Sequence, residues 1–305
     1  MSKIKTALNI LFSKNVALGP AIFYLLRKWK ILNICNDKLF VNIGYYLTFG
    51  TKLNLSNPQT FNQKLNWLKI YNRNPEYTHY VDKYRVKEFV SKKIGKEYII
   101  PTLGVWDKVN SIEWNKLPNE FVIKCTHDSR SYIICKDKSK LDVESVSRSL
   151  ALNMKRNLYW WAREWPYKNV IPQIIAEPFL KDSEYEDLKD YKFFCFGGKV
   201  KCFKIDFDRF STHGANYYDV NGNILDIGEV ACPPNPSRDI HMPNTISKMV
   251  DLAETLSEGI PFLRVDFYDV NGHIYFGEMT FFPAEGFGRF ISFDADIKMG
   301  SWIHL

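Results

Sequence analysis

Arg264, Asp266, Glu278 and Thr280 lie in the stretch LRVDFYDVNGHIYFGEMTFFP (263–283). Two alternating runs meet there at Asn271-Gly272, a β-hairpin signal. With a three-residue loop, a type I turn followed by a bulge, strand alternation puts these four residues on one face. Leu263, Val265, Phe267, Tyr275, Met279 and Phe281 then form a core face. Two carboxylates, an arginine and a hydroxyl are costly to bury for stability alone. They suit a Mg²⁺–phosphate site, with hard oxygen donors for the metal and a cation for developing charge. A two-residue turn would shift the register by one and send Asp266 and Glu278 to opposite faces. A solvated polar outer face is the plain alternative, and the hairpin alone leaves both open.

The elements that must position these groups come from a chain of 305 residues, long enough for two or three cores. Apolar residues make up 46% and aromatics 15%, which excludes a disordered chain. The six cysteines (35, 125, 135, 195, 202, 232) form no Cys-x-x-Cys pair and no finger spacing. With no cleavable signal evident, they read as reduced thiols of a cytoplasmic protein, without a zinc site. The net charge is +7, and residues 1–30 carry six bases (Lys3, Lys5, Lys14, Arg27, Lys28, Lys30) and no acid. The remainder is nearly neutral, which argues against a nucleic-acid groove. This basic, amphipathic start suggests peripheral contact with an anionic membrane surface, at the inner face of the plasma membrane. A capping helix docked on the body is the other reading.

Periodicity predicts a mainly helical region over 1–75, then an α+β body over 76–305, divided into 78–180 and 181–305. A helix is expected over 78–95, stopped by Gly95. Strands are expected over 98–101, 120–125, 132–135, 174–179 and 191–196. A further strand over 199–207 would turn back through Gly197-Gly198. Residues 208–241 read as loop, and helices are expected over 142–157 and 244–258. Mixed strands and helices with prominent hairpins indicate an α+β fold.

Lys124, in FVIKCTHDSR (121–130), sits among apolar residues at a strand end. A phosphate would match its charge, although lysine also snorkels to solvent. Asp82-Lys83, Lys124 with its small-polar loop, Glu177-Pro-Phe-Leu180, Asp190-Tyr-Lys192 and the 264–280 hairpin follow one another in order. This succession resembles the ATP-grasp superfamily, and more closely the TupA-like ATP-grasp family of bacterial surface-polysaccharide clusters. The similarity also covers LNLSNPQTFNQKLNWLKIYNRNP (53–75), VDKYRVKEFVSKKIGKEYIIP (81–101) and REWPYKN (163–169).

The resemblance implies ATP clasped between two α+β subdomains, preceded by a helical N-terminal region. Lys83 and Lys124 match the lysines that reach the phosphates. Glu177 and Leu180 match the hinge beside adenine, and Asp190 matches the acid on the ribose. Lys192 shares a strand face with Asp190 and is expected to reach phosphate. Asp266, Glu278 and Thr280 match the Mg²⁺ ligands, with threonine where the superfamily often has asparagine. Arg264 matches the arginine that steadies the reacting carboxylate. After Lys124 the expected His-Gly-Ser-Gly is His127-Asp128-Ser129-Arg130. Without the glycines close backbone approach to phosphate is harder, which leaves Ser129 and Arg130 as phosphate binders. The implied activity is carboxylate–amine ligation through an acyl phosphate. An amino acid or amine would be joined to a hexuronic acid of a capsule or O-antigen precursor, and the basic N-terminus would suit a lipid-linked form of it. Arg163 and Lys168 are expected to receive a substrate carboxylate. Two rivals remain: a glycosyltransferase using Asp206-Phe207-Asp208, and a non-catalytic binding protein.

Overall fold

The computed structural model describes residues 18–129, 131–183, 188–208, 212–238, 240 and 242–305. Among the described residues the first three helices are α1 (Leu18–Lys28), α2 (Asp37–Phe49) and α3 (Phe61–Tyr71). Asn36 caps α2 by accepting from the Leu39 N–H, and Gly50 ends it in the left-handed region at φ 71°. Thr60 and Gln63 close a capping box on α3. Phe23, Leu32, Phe40, Val41, Tyr45 and Leu53 form a core of their own between α1 and α2. Among the described residues no helix is long and apolar enough to cross a membrane.

The expected helix over 78–95 is two helices, α4 (Tyr77–Val81) and α5 (Val86–Ile94). Asp82 causes the break. Its backbone is extended, and its carboxylate accepts from the N–H groups of Tyr84 and Arg85, starting a fresh turn. The expected strand at 98–101 is a short 3₁₀ turn and coil instead. Pairing begins at β1 (Gly104–Trp106).

The first sheet has the order β1-β4-β2-β3, all antiparallel, with β2 (Phe121–Cys125), β3 (Ile133–Cys135) and β4 (Ile174–Pro178). Phe121, Ile123 and Cys125 alternate inward against Ile174, Ala176 and the helix α6 (Val143–Asn153), where Val146 and Leu150 are buried. Helix α7 (Leu158–Ala162) follows α6.

The second sheet has the order β7-β6-β5-β8-β9, also antiparallel. Its strands are β5 (Asp190–Phe196), β6 (Lys199–Phe207), β7 (Gly214–Tyr218), β8 (Phe262–Val270) and β9 (His273–Thr280). One face packs Phe193, Phe203, Ile205, Leu263, Val265 and Phe267 with helix α8 (Ile246–Leu256). From α8, Met249, Leu252, Ala253 and Leu256 enter this core. Burying each large side chain contributes roughly 1.5–3 kcal/mol before entropy. Phe61, Leu65 and Leu68 of α3, and Val81, Val86 and Val90 around α4 and α5, join the same core, and α3 also packs on the last helix α9 (Phe293–Ser301). Strand β7 lies inside the stretch expected to be loop. Its sequence GANYY lacks alternation because all five residues are buried.

Candidate functional site

The hairpin turn settles the register in an unexpected way. Val270 pairs with His273, so the turn has two residues, with Asn271 at φ 54° and Gly272 at φ 80°. Positive φ at both positions is the type I′ geometry that Asn-Gly favours. Such a turn alone would split the carboxylates between faces. A bulge in β9 reverses this: Phe267 pairs with Phe276, but Asp266 pairs with Glu278, leaving Gly277 as the extra residue. A Cβ on Gly277 would lie 3.1 Å from the Asp266 carbonyl oxygen, so the close approach favours glycine. The two-residue turn, ahead of the bulge, sets the expected core residue Tyr275 opposite Tyr268 and puts Phe276 in the core.

Asp266, Glu278, Thr280 and Arg264 therefore share one face. The Arg264 guanidinium forks onto Asp266 at 2.7 and 2.6 Å and donates to Glu278 at 3.2 Å and the Thr280 hydroxyl at 3.0 Å. Burial pushes the Asp266 carboxyl up to about 7, against the pull of Arg264. Desolvation works against the Arg264 charge, but Asp266, Glu278 and Asp190 together hold the guanidinium protonated. Two carboxylates and a hydroxyl form a donor set suited to a hard divalent cation.

Lys192 on β5 pairs directly across from Asp266. Its ammonium bonds Asp190 and lies 2.8 Å from Asp206. Although buried, it has a raised pKa: three carboxylates (Asp190, Asp266, Asp206) outweigh desolvation. Asp190 and Lys192 thus sit together on the polar face of the second sheet, as expected.

On the first sheet, Lys124 points away from the core and its ammonium reaches Glu177 at 2.5 Å. Sequence reasoning missed Lys87, which binds the other Glu177 oxygen at 2.5 Å and the Ile100 carbonyl at 2.8 Å. Desolvation opposes ionisation of Glu177, yet the two lysines hold its carboxyl below the ordinary value. Its side chain is thus committed to the lysines, and Leu180 follows two residues after β4 ends. The signal for Lys87 was available: it lies one helical turn beyond Lys83.

Lys83 lies in the break between α4 and α5. Its backbone N–H donates to Thr126 and its ammonium to the Asp128 carbonyl, both in the loop after β2. Burial lowers its pKa, partly restored by the charge of Glu278 on β9 and opposed by Lys124. Lys83 therefore feels both Lys124 and Glu278 of the hairpin. In the glycine-less loop, Asp128 is buried. Its carboxylate accepts from the Ser129 N–H at 2.8 Å and lies 3.4 Å from Arg156. Among the described residues Arg156 offsets the Asp128 charge, which was not anticipated. Arg130 lies outside the described residues, as do residues 1–17 of the basic start.

Arg163 and Lys168 do not join this group. Arg163 is only 1% exposed, and its guanidinium donates to the carbonyls of Leu32, Asn33 and Cys35, stapling the chain between α1 and α2. Its φ of 56° ends α7. Lys168 lies over the Tyr159 ring, and both residues line an open cavity of about 840 Å³ with Asp37, Arg73 and Trp160. Arg27 is likewise engaged, with Glu285 and the rings of Phe23 and Trp161. Two residues of this segment, Glu164 and Tyr167, feel the charges of Glu278 and Arg264, and Glu164 is the acid of the two. It is buried, its carboxyl is pushed up by desolvation, and it feels Lys69, Glu285, Glu278 and Arg264. The Asp206-Phe207-Asp208 motif does not act as one unit. Asp206 faces Lys192, whereas Asp208 has φ 51° and pairs with Arg238.

No curated protein matches the chain. Among solved structures, the ATP-grasp ligase PsnB complexed with minimal precursor is similar at 9% identity and TM-score 0.38, over 72% of this chain and 59% of that one. D-alanine–D-alanine ligase from Bacillus anthracis is similar at 15% identity and TM-score 0.36, over 73% of this chain and 59% of that one. The Helicobacter pylori enzyme of that name is similar at 13% identity and TM-score 0.43, covering 80% and 67%. This chain thus spans under two thirds of the PsnB and B. anthracis proteins. The sequence itself matches the family described as TupA-like ATPgrasp over residues 63–304, a range that takes in both sheets and every cleft residue above. The chain belongs to the TupA-like ATP-grasp family.

Proposed function

We infer that this protein is an ATP-dependent ligase joining a carboxylate to an amine through an acyl phosphate. The observation that carries the reading is the bulge-corrected pairing of Asp266 with Glu278 and of Arg264 with Thr280, beside Lys83. Mg²⁺ would be held by Asp266, Glu278 and Thr280, whose oxygens fit its preference, and would supply charge neutralisation on the phosphates.

A substrate carboxylate oxygen attacks the γ-phosphorus, and ADP leaves. The amine nitrogen then attacks the acyl carbon, phosphate leaves, and the nitrogen loses a proton. Lys83 and Lys124 neutralise phosphate charge, while Glu177 and Lys87 fix the Lys124 ammonium. Asp190 orients the ribose, the chain at Leu180 borders adenine, and Lys192 holds Asp190 in place. Arg264 steadies the oxygen on which charge develops as the carbonyl is attacked. The protein thus contributes position and charge, with no nucleophile of its own.

The substrate classes are an amino acid or amine and a hexuronic acid of a capsule or O-antigen precursor. A lipid-linked precursor and peripheral attachment at the cytoplasmic membrane face through residues 1–30 belong to the same reading. The experiment is incubation with ATP, Mg²⁺ and panels of uronic and amino acids. ADP release that requires both co-substrates, and is lost in D266N with the fold intact, is the expected result. Turnover of a nucleotide sugar instead would overturn it.

A further inference from the structure

We propose that Asp206, His213 and Cys232 form a second metal site, selective for a soft divalent cation of the zinc type and separate from the oxygen-donor hairpin. Asp206 lies near the end of β6, His213 immediately precedes β7, and Cys232 belongs to the loop that follows β7. Their ligand atoms all lie within 4.8 Å of one another. Cys232 Sγ is 3.7 Å from His213 Nε2, and that nitrogen is 3.6 Å from Asp206 Oδ1. A tetrahedral zinc with ordinary bond lengths would set these edges at about 3.5 and about 3.3 Å. Two of the three edges already stand within a few tenths of an ångström of that arrangement, and the third, Asp206 to Cys232, is no longer than 4.8 Å.

The donor set decides the cation. Sulfur and imidazole nitrogen favour zinc-type ions over Mg²⁺, which prefers the oxygens of Asp266 and Glu278. Charge agrees. Lys192 and Lys204 reach Asp206 at 2.8 and 3.6 Å, and each also faces a second carboxylate, Asp190 and Glu229 respectively. Asp206 and a Cys232 thiolate then supply two negative charges for a divalent ion. Asp206 and Cys232 are buried while the His213 side chain is 37% exposed, which gives the ion a way in and leaves a fourth position for water. The bound ion would tie β6, the start of β7 and the Cys232 loop into one clasp. Asp206 also contacts Lys192, so this clasp adjoins the Asp190 end of the cleft.

The test is a Co²⁺ titration of the full chain after chelator treatment. Expected are a thiolate-to-cobalt charge-transfer band and tetrahedral visible bands that saturate at one equivalent, both chased by Zn²⁺ and unaffected by excess Mg²⁺. C232S should lose the charge-transfer band and H213Q should weaken binding at least about tenfold, while D266N retains the band. Circular dichroism establishes that each variant is folded. Absence of a thiolate band in the folded wild type, or a band of full intensity in C232S, would overturn the proposal.

Discussion

Replacing Glu177 by glutamine isolates the ion-pair cluster that holds Lys124. Glu177 is 4% exposed and meets Lys87 and Lys124 at 2.5 Å each. At an effective dielectric of about 20 each contact is worth about 6 kcal/mol of attraction. Desolvation of the three ions offsets most of that, so the intact cluster contributes little net. Removing one partner is different, because two ammonium groups then face each other without compensation. The expected loss is about 3–5 kcal/mol, or roughly 6–15 °C in Tm, read by urea and thermal unfolding. K87M should cost less in the E177Q background than alone, with a coupling above about 1 kcal/mol. The pH dependence has a definite sign. The native Glu177 carboxyl lies below its ordinary 4.5, so its contribution is present above about 4.5 and fades as pH falls through the native value. E177Q should lack that acid-side limb. A loss below about 1 kcal/mol, with additive K87M, would refute the reasoning.

Arg163→Ala should lower stability by about 3 kcal/mol, because three carbonyls lose their donor, with nucleotide affinity unchanged in a titration of the folded variant. Deleting Gly277 should leave Mg²⁺-dependent nucleotide binding within about tenfold of wild type by calorimetry. Removing Gly277 shortens β9 by the one residue that the bulge absorbs, so the two-residue turn then pairs Asp266 with Glu278 directly. Glu164→Gln should flatten the stability–pH curve between the ordinary carboxylate value and about 8. The native carboxyl keeps its proton over that window and the unfolded one does not, so wild-type stability falls as pH rises. Urea melts at pH 5 and pH 8 check this.

The hairpin shows how much of the site was legible in the sequence. The types and order of Arg264, Asp266, Glu278 and Thr280 were readable, and so was their common face. The mechanism that puts them there was not. Asn271-Gly272 forms the tighter turn, and a bulge at Gly277, invisible to alternation rules, restores the register. Strands β2, β4, β5 and β6 were readable because their runs are apolar and bounded by turn signals. β7 was hidden because a strand buried on both faces shows no alternation. Arg163 was misleading for a different reason. An arginine beside aromatic residues suggests ligand recognition, yet its partners are main-chain carbonyls more than a hundred residues away, which no local pattern reveals. Lys87 and Arg156 escaped notice because their value comes from the carboxylates they meet across the fold.

The interruption between α4 and α5 has a consequence for how the two sheets can move. Lys83 is carried by helices whose apolar side chains belong to the core of the second sheet. Its own backbone N–H and its ammonium are both fastened to the loop of the first sheet, at Thr126 and Asp128. A residue tied to one body by its polar groups and to the other through the helices on either side of it acts as a pivot. Any opening of the cleft is then a rotation about this point, widest at the far ends of the sheets and smallest at Lys83. A phosphate chain entering such a jaw would meet the pivot last, at the place where the geometry changes least.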